Sequence, residues 1–267
     1  MRRFLAALAA ALVAVAGAAV IVPASPATAT PAAAAPAPAR TAAEASYVET
    51  SIVIGKSARG RKIRAFYRGE EGAPHVLLVL GQMHGDEKAG IATARWIRDH
   101  IRPRPGTGVW VVPTMNPDGN ARGTRTNARG VDLNRNWPTS GWSSARRGTR
   151  YWGGPRPASE PETRAMIDFL AQVRPRYIAS IHQPLRAIGR GGHGGWEKRL
   201  ARNLKLPRRH LGVGNPAGTD SPTLTAWYDT TLGEYGAAVT IEYGARTTHR
   251  YRTKVAGRGI ARAARIR

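Results

Sequence analysis

Three short apolar runs in this 267-residue chain each stop beside a side chain that can ligate a metal or move a proton. Val76 to Leu80 precedes His84, Tyr177 to Ile181 precedes His182, and Ala237 to Ile241 precedes Glu242. Unbroken apolar runs of this length read as strands buried on both faces, the mark of a largely parallel sheet covered by helices. In such sheets, ligand sites gather outside the carboxyl ends of the strands. The pattern therefore predicts an α/β sandwich in which these three residues meet at one sheet edge.

The rest of the chain supplies further elements. Ile52 to Ile54 and Lys62 to Arg68 read as antiparallel edge strands around the polar turn 55–60, and Val109 to Val112 as one more strand. Apolar residues at helical spacing (Ile91, Ala94, Ile97, Ile101) predict a helix over 86–101. Ser159-Glu160-Pro161-Glu162 predicts a helix start, with Ser159 as cap and proline and acid in the first turn, running to about Val173. A further helix is expected from Trp196 to Asn203, after a glycine-rich connector at 189–195. Residues 113–158 are rich in Gly, Pro, Asn and Arg and lack periodicity, and a loop of that length in a compact domain is usually functional. The segment 245–267 carries eight Lys/Arg and no acid, and reads as a C-terminal helix.

The N-terminal region has a different character. A basic start (Met1-Arg2-Arg3), an Ala/Val/Leu-rich stretch over 4–22 and the small-residue signal Ala27-Thr28-Ala29 predict a cleaved export signal over 1–29. An Ala/Pro-rich linker over 30–46 and one folded domain over 47–267 follow. The expected location is secreted or at the cell wall. There are no cysteines, so stability must come from the core and from any bound metal. The formal net charge is +24, and removing Arg2 and Arg3 with the leader leaves +22. Such a charge attracts polyanions. For an exported chain an anionic cell-wall polymer is the expected partner, with no specific nucleic acid; an arginine-rich coding bias without any partner is the alternative reading.

The chemistry centres on His84-Gly85-Asp86-Glu87. An imidazole and a carboxylate three residues apart reach one ion from a single turn, although an isolated pair of this kind is common by chance. With His182 they form a two-histidine, one-glutamate set, which leaves a catalytic zinc ion a position open for water. Glu242, at the end of an apolar run, is costly to bury without work or a partner. It serves either as a general base for the attacking water or as one half of a structural ion pair. Arg125 suits an oxyanion and Asn134 with Arg135 a substrate carboxylate, because a fixed guanidinium stabilises both. Asp132 either orients a metal-bound histidine or forms a turn, and Asp86 is equally open. Arg122 and Arg129 read as incidental; His75, His100, His193, His210 and His249 read as non-ligands.

The phrases His84-x-x-Glu87, Asn116-Pro117-Asp118-Gly119, Arg125, Val131 to Pro138, Ser159 to Thr163, Ser180-Ile181-His182 and Ile241-Glu242 occur in order. Together, over about 50–245, they resemble the zinc carboxypeptidase superfamily, carboxypeptidase A-like. The resemblance implies a mixed, twisted eight-stranded sheet between helices and one zinc ion per chain. Within the superfamily, the stretch 123–136 and the segment His182-Gln183-Pro184-Leu185 are most similar to murein peptide amidases. That likeness implies cleavage of the γ-D-glutamyl-diaminopimelate bond of peptidoglycan stem peptides; the chain is expected to be a monomer. A general carboxypeptidase trimming C-terminal residues is the second reading, and a catalytically silent wall-binding domain the third. There are two departures. Digestive-type members carry a mobile tyrosine about twenty residues before the base, where this chain has Asp220 and Ser221; Tyr228 and Tyr235 are the nearest. The amidases in question are usually cytoplasmic, whereas this chain begins with an export signal. Asp220, if it faces inward, would suit a substrate amine.

Overall fold

A computed structural model describes residues 46–211 and 221–267. The expected leader, nearly all of the linker, and Asp220 lie outside the described residues. Eight strands form one mixed sheet: β1 (Tyr47–Lys56), β2 (Lys62–Glu70), β3 (His75–Leu80), β4 (Thr107–Val112), β5 (Tyr177–His182), β6 (Leu185–Gly189), β7 (Arg208–Arg209) and β8 (Ala237–Gly244). Their order across the sheet is β1-β2-β4-β3-β5-β8-β6-β7. The central strands β4, β3, β5 and β8 run parallel, and β1, β2 and β6 pair antiparallel around them.

Side chains alternate across the pleat, so each central strand feeds two cores. Leu77 and Val79 of β3, Ala179 and Ile181 of β5, and Val239 and Ile241 of β8 face α1 (Ala89–His100), α4 (Gly194–Leu204) and α6 (Arg258–Ala263). Leu78 and Leu80, Ile178 and Ala238 face α3 (Pro161–Val173) and α5 (Leu224–Thr231) on the other side. This is why the central strands carry no polar stripe. Among the described residues, no helix is long and apolar enough to cross a membrane.

Several boundaries differ from the sequence reading. The helix expected from Asp86 begins at Ala89, because 86–88 form the turn that holds Glu87. The cap of α3 is Glu160, not Ser159. The Ser159 hydroxyl is occupied elsewhere: it accepts from Asn136 Nδ2 at 2.9 Å and donates to Glu160 Oε1 at 2.8 Å. The strand ending at His182 contains its ligand, and Glu242 lies inside β8 rather than after it. The C-terminal segment is helical only from His249, passing through a π-helical turn over 251–257 into α6.

Candidate metal centre

The site is assembled from the carboxyl ends of β3, β5 and β8. His182 and Glu242 are register partners on the adjacent parallel strands β5 and β8, so pairing alone sets them side by side. His84 and Glu87 come from the turn after β3. That turn is braced by α2 (Pro117–Arg122), a six-residue helix capped by Asn116, whose side-chain oxygen accepts from Gly119 N at 2.9 Å. Asn116 Nδ2 in turn donates to Met83 O at 3.1 Å. Gly85 lies directly on the Gly119–Asn120 backbone, where any Cβ would collide with the Gly119 carbonyl carbon. Only glycine permits that approach.

The structure brings His84, Glu87 and His182 together: their ligating atoms lie within 4.8 Å of one another, and all three are buried. Among the described residues no other His/Cys/Asp/Glu group does this. His84 Nδ1 is 2.8 Å from Glu87 Oε1, and His182 Nδ1 is 3.1 Å from Glu87 Oε2 and 3.3 Å from His84 Nδ1. The far ring nitrogens are held from behind, His84 Nε2 by Asp132 Oδ1 at 2.9 Å and His182 Nε2 by Ser180 Oγ at 3.1 Å. With its Nε2 proton given to Asp132, His84 turns a bare Nδ1 lone pair inward.

This donor set fits zinc. Two imidazole nitrogens and a carboxylate converge, oriented by hydrogen bonds from outside, and a three-ligand set leaves room for water. The electrostatics agree. Burial alone would raise the Glu87 pKa, but His84 and His182 outweigh it and hold the carboxyl well below its usual range. Burial alone would lower His84, yet Asp132 and Glu87 outweigh it and raise it. The cluster therefore favours positive charge at its centre.

Asp132 performs both functions left open by the sequence. Its Oδ1 also accepts from Asn134 N at 2.9 Å, closing the turn of a short 3₁₀ helix over 133–135. Its Oδ2 accepts from Arg125 Nε and Nη2 at 3.1 and 2.9 Å. Arg125 Nη1 then reaches Glu87 Oε1 at 3.1 Å. One carboxylate thus fixes both a ligand histidine and the arginine beside the ligand set. Arg135 is buried; desolvation lowers its pKa, partly offset by Asp132. Asn134 Oδ1 accepts from Leu224 N at 3.2 Å, so this side chain also anchors the start of α5.

All seven predicted site residues (His84, Glu87, Arg125, Asn134, Arg135, His182 and Glu242) line one cleft of about 690 Å³. Burial pushes the Glu242 carboxyl above its ordinary value, opposed only in part by His182 and the Leu185 amide. Asp86 is exposed and does not line this cleft.

Sequence reasoning missed several residues in and behind the cleft. Ser180 carried no signal beyond standing two residues before His182, on the same face of β5. Tyr151, inside the long loop, places its ring 5.6 Å from the Arg125 guanidinium carbon and 5.4 Å from that of Arg135. Tyr228 is buried with its hydroxyl donating to Pro175 O at 2.6 Å, and Tyr235 packs under Arg174; neither lines the cleft. The glycine-rich segment is a connector and also a wall: Arg190 and Gly191 line the cleft, while Gly191 N and His193 N donate to Glu197 Oε1 at 2.8 and 2.9 Å.

Comparison with known proteins is consistent with this geometry. A family model described as zinc carboxypeptidase matches residues 39–188, a span that ends before Glu242. The chain is 33% identical over 178 residues to murein peptide amidase A of Vibrio campbellii, covering 61% of this chain and 69% of that protein. It is 33% identical over 145 residues to murein peptide amidase A of Escherichia coli K12, covering 49% of this chain; the match spans only 58% of that relative's length. The fold superposes on the murein-tripeptide amidase of Escherichia coli O157 with a TM-score of 0.61 at 24% identity, covering 82% of this chain and 93% of that one. Carboxypeptidase A from Helicoverpa armigera gives 0.66 at 20% identity, covering 81% and 68%. At these identities the superpositions speak to the fold.

Proposed function

This chain belongs to the zinc carboxypeptidase family and is a peptide hydrolase, and from that premise we propose that it is an exported zinc enzyme cleaving the γ-D-glutamyl-diaminopimelate amide of peptidoglycan stem peptides. The observation that carries the reading is the buried His84–Glu87–His182 set facing one cleft with Glu242, Arg125 and Arg135. The substrate class is supported by the two murein peptide amidase relatives and by the arginines, which suit a substrate bearing a free carboxylate.

His84, Glu87 and His182 would hold the ion, which when bound supplies Lewis acidity, making water nucleophilic near neutral pH and polarising a carbonyl. Glu242 takes a proton from the attacking water and returns it to the leaving amine, a task suited to a carboxyl with a raised pKa. Arg125, fixed by Asp132, presents its Nη1 donor beside the ligand atoms, where negative charge on the substrate oxygen would develop. Arg135 and Asn134 hold the carboxylate next to the scissile bond, and the Tyr151 ring lies against both arginines.

The test is to incubate the purified protein with L-Ala-γ-D-Glu-diaminopimelate and with a panel of ordinary peptides, each with and without a chelator. Chelator-sensitive release of diaminopimelate alone supports the proposal. Stepwise loss of C-terminal residues from the ordinary peptides would transfer it to the general carboxypeptidases, and zinc binding without turnover of either would refute it.

A further inference from the structure

A second, larger cleft of about 930 Å³ shares no lining residue with the first. It lies between the C-terminal half of α1 and the π-helical turn that leads into α6. Four full cations surround it: Arg95 from α1, Arg250 just before the turn, Lys254 within it, and Arg258 at the start of α6. The acid in its lining is Asp99, and both its oxygens are taken by Arg98, at 2.6 and 3.0 Å. Among the described residues, none of the four cations is in an ion pair.

Arg95, Arg250 and Lys254 are exposed and Arg258 is half-buried, so the cleft presents its charge to solvent and to any incoming anion. Four like charges around one concavity repel, and the Nε of Arg258 is buried without a hydrogen-bond partner among the described residues. The floor is the Trp96 ring, with Lys254 Nζ 5.8 Å and the Arg258 guanidinium carbon 5.9 Å from its centre. A π-helical turn is itself rare and often marks a functional site. Anionic groups entering the cleft would relieve the repulsion and satisfy the free donors.

The shape selects among polyanions. Trp96 is only 8% exposed and already stacks on His100 at 4.9 Å, so no aromatic face is open for a nucleobase. Among the described residues the large exposed hydrophobics, Ile52, Val53, Tyr151 and Leu185, all lie away from this cleft, so its rim offers no apolar anchor for a bilayer. We propose that this cleft is a noncatalytic docking site for an anionic glycopolymer, whose phosphate or carboxylate groups sit between Arg95, Arg250, Lys254 and Arg258. Docking would hold the protein against a polyanionic matrix while the first cleft stays free. The proposal is independent of the peptidase reading, because it is tested by binding rather than turnover.

The experiment measures binding of soluble polyglycerol-phosphate chains to the full chain at near-physiological salt. The double variant Arg95→Glu/Lys254→Glu is compared with Lys62→Glu/Arg64→Glu, an equal charge change at exposed positions of β2 outside both clefts. Binding should weaken about tenfold or more in the first and less than about twofold in the second, since only close, converging charges escape screening. The neutral pair Arg95→Gln/Lys254→Gln should show the same ordering, which covers the case in which charge reversal impairs folding. Equal losses at the two locations would reduce the effect to net charge and overturn the site. Tighter binding of a DNA duplex or of phosphatidylglycerol vesicles than of the glycopolymer would overturn the choice of partner. Turnover of soluble peptides should be unchanged in all three variants.

Discussion

Two buried carboxylates, Asp132 beneath the ligand set and Glu242 beside it, occupy opposite environments. Asp132 has no exposed surface, and its two oxygens accept four hydrogen bonds, from His84, the Asn134 amide and twice from Arg125. Burial alone would raise its pKa, but His84 and the two arginines outweigh burial and hold it well below the usual carboxylate range. Glu242 is nearly as buried, at 6% exposure, yet among the described residues its carboxylate accepts one bond, from Leu185 N at 3.2 Å, and pairs with no Lys or Arg. Burial therefore dominates and its pKa rises. A saturated carboxylate fixes its neighbours, whereas an under-coordinated one remains able to take a proton.

The sharpest way to break this comparison is to neutralise each acid. Glu242→Gln should lower kcat/KM by about 10³-fold or more while bound zinc is unchanged, the loss typical of removing a general base. Activity within tenfold of the parent would end the base assignment. Asp132→Asn should act differently, through the groups it holds. Zinc affinity should fall about 10- to 100-fold, as when a partner behind a ligand histidine is lost. Stability should drop by about 3–5 kcal/mol, because His84 and Arg125 lose a buried counter-charge. Chelator competition and denaturant unfolding measure the two effects. If Asp132→Asn impaired turnover but neither metal affinity nor stability, the division of roles would be wrong.

The same contrast explains what could be read from the sequence. His84, His182 and Glu242 were legible because each ends an apolar run, and a sheet sends strand ends to one edge. The central strands were legible for the same reason. The Asp132 bonds were legible only in part: a place behind a ligand histidine was one of two open readings, but which histidine, 48 residues away, and the grip on Arg125, 7 residues away, are encoded by no local period. Glu160 and Glu162 read as helix-start charges, yet they hold the long 113–158 loop, accepting from Asn127 Nδ2 at 2.7 and 3.2 Å. Short elements escaped too. α2 and β7 are too brief to show periodicity, β6 buries only part of its length, and α5 spans only eight residues. β1 extends beyond its apolar centre because an edge strand tolerates polar residues on both faces.

Arg135 sharpens the comparison on the substrate side. Its guanidinium lines the cleft between Asp132 and the Tyr151 ring, where a bidentate donor can meet a substrate carboxylate. Arg135→Ala should raise KM about tenfold for a substrate with a free carboxylate and about twofold for its amidated analogue, with a smaller change in kcat. Equal KM changes for both substrates would remove the anchoring role.

The smallest effect concerns a histidine without a carboxylate. His84 rests on Asp132 and is pushed up, whereas His75 of β3 lies in a cationic neighbourhood and is pushed below 6.5. Burial is the main cause, with Arg176, Arg104 and Arg199 adding to it and the Ala264 carbonyl, 2.7 Å from Nε2, opposing. The unfolded chain then binds a proton at His75 more readily than the folded one. Stability is lost as pH falls below about 6.5 towards the folded pKa and levels off beneath it. His75→Gln keeps a donor for the Ala264 carbonyl but cannot titrate, so its melting temperature should decline less between pH 7 and pH 5 than that of the parent. Parallel declines would mean that the arginines around His75 are too well screened by solvent to matter, and would confine the contrast between paired and unpaired charge to the buried site.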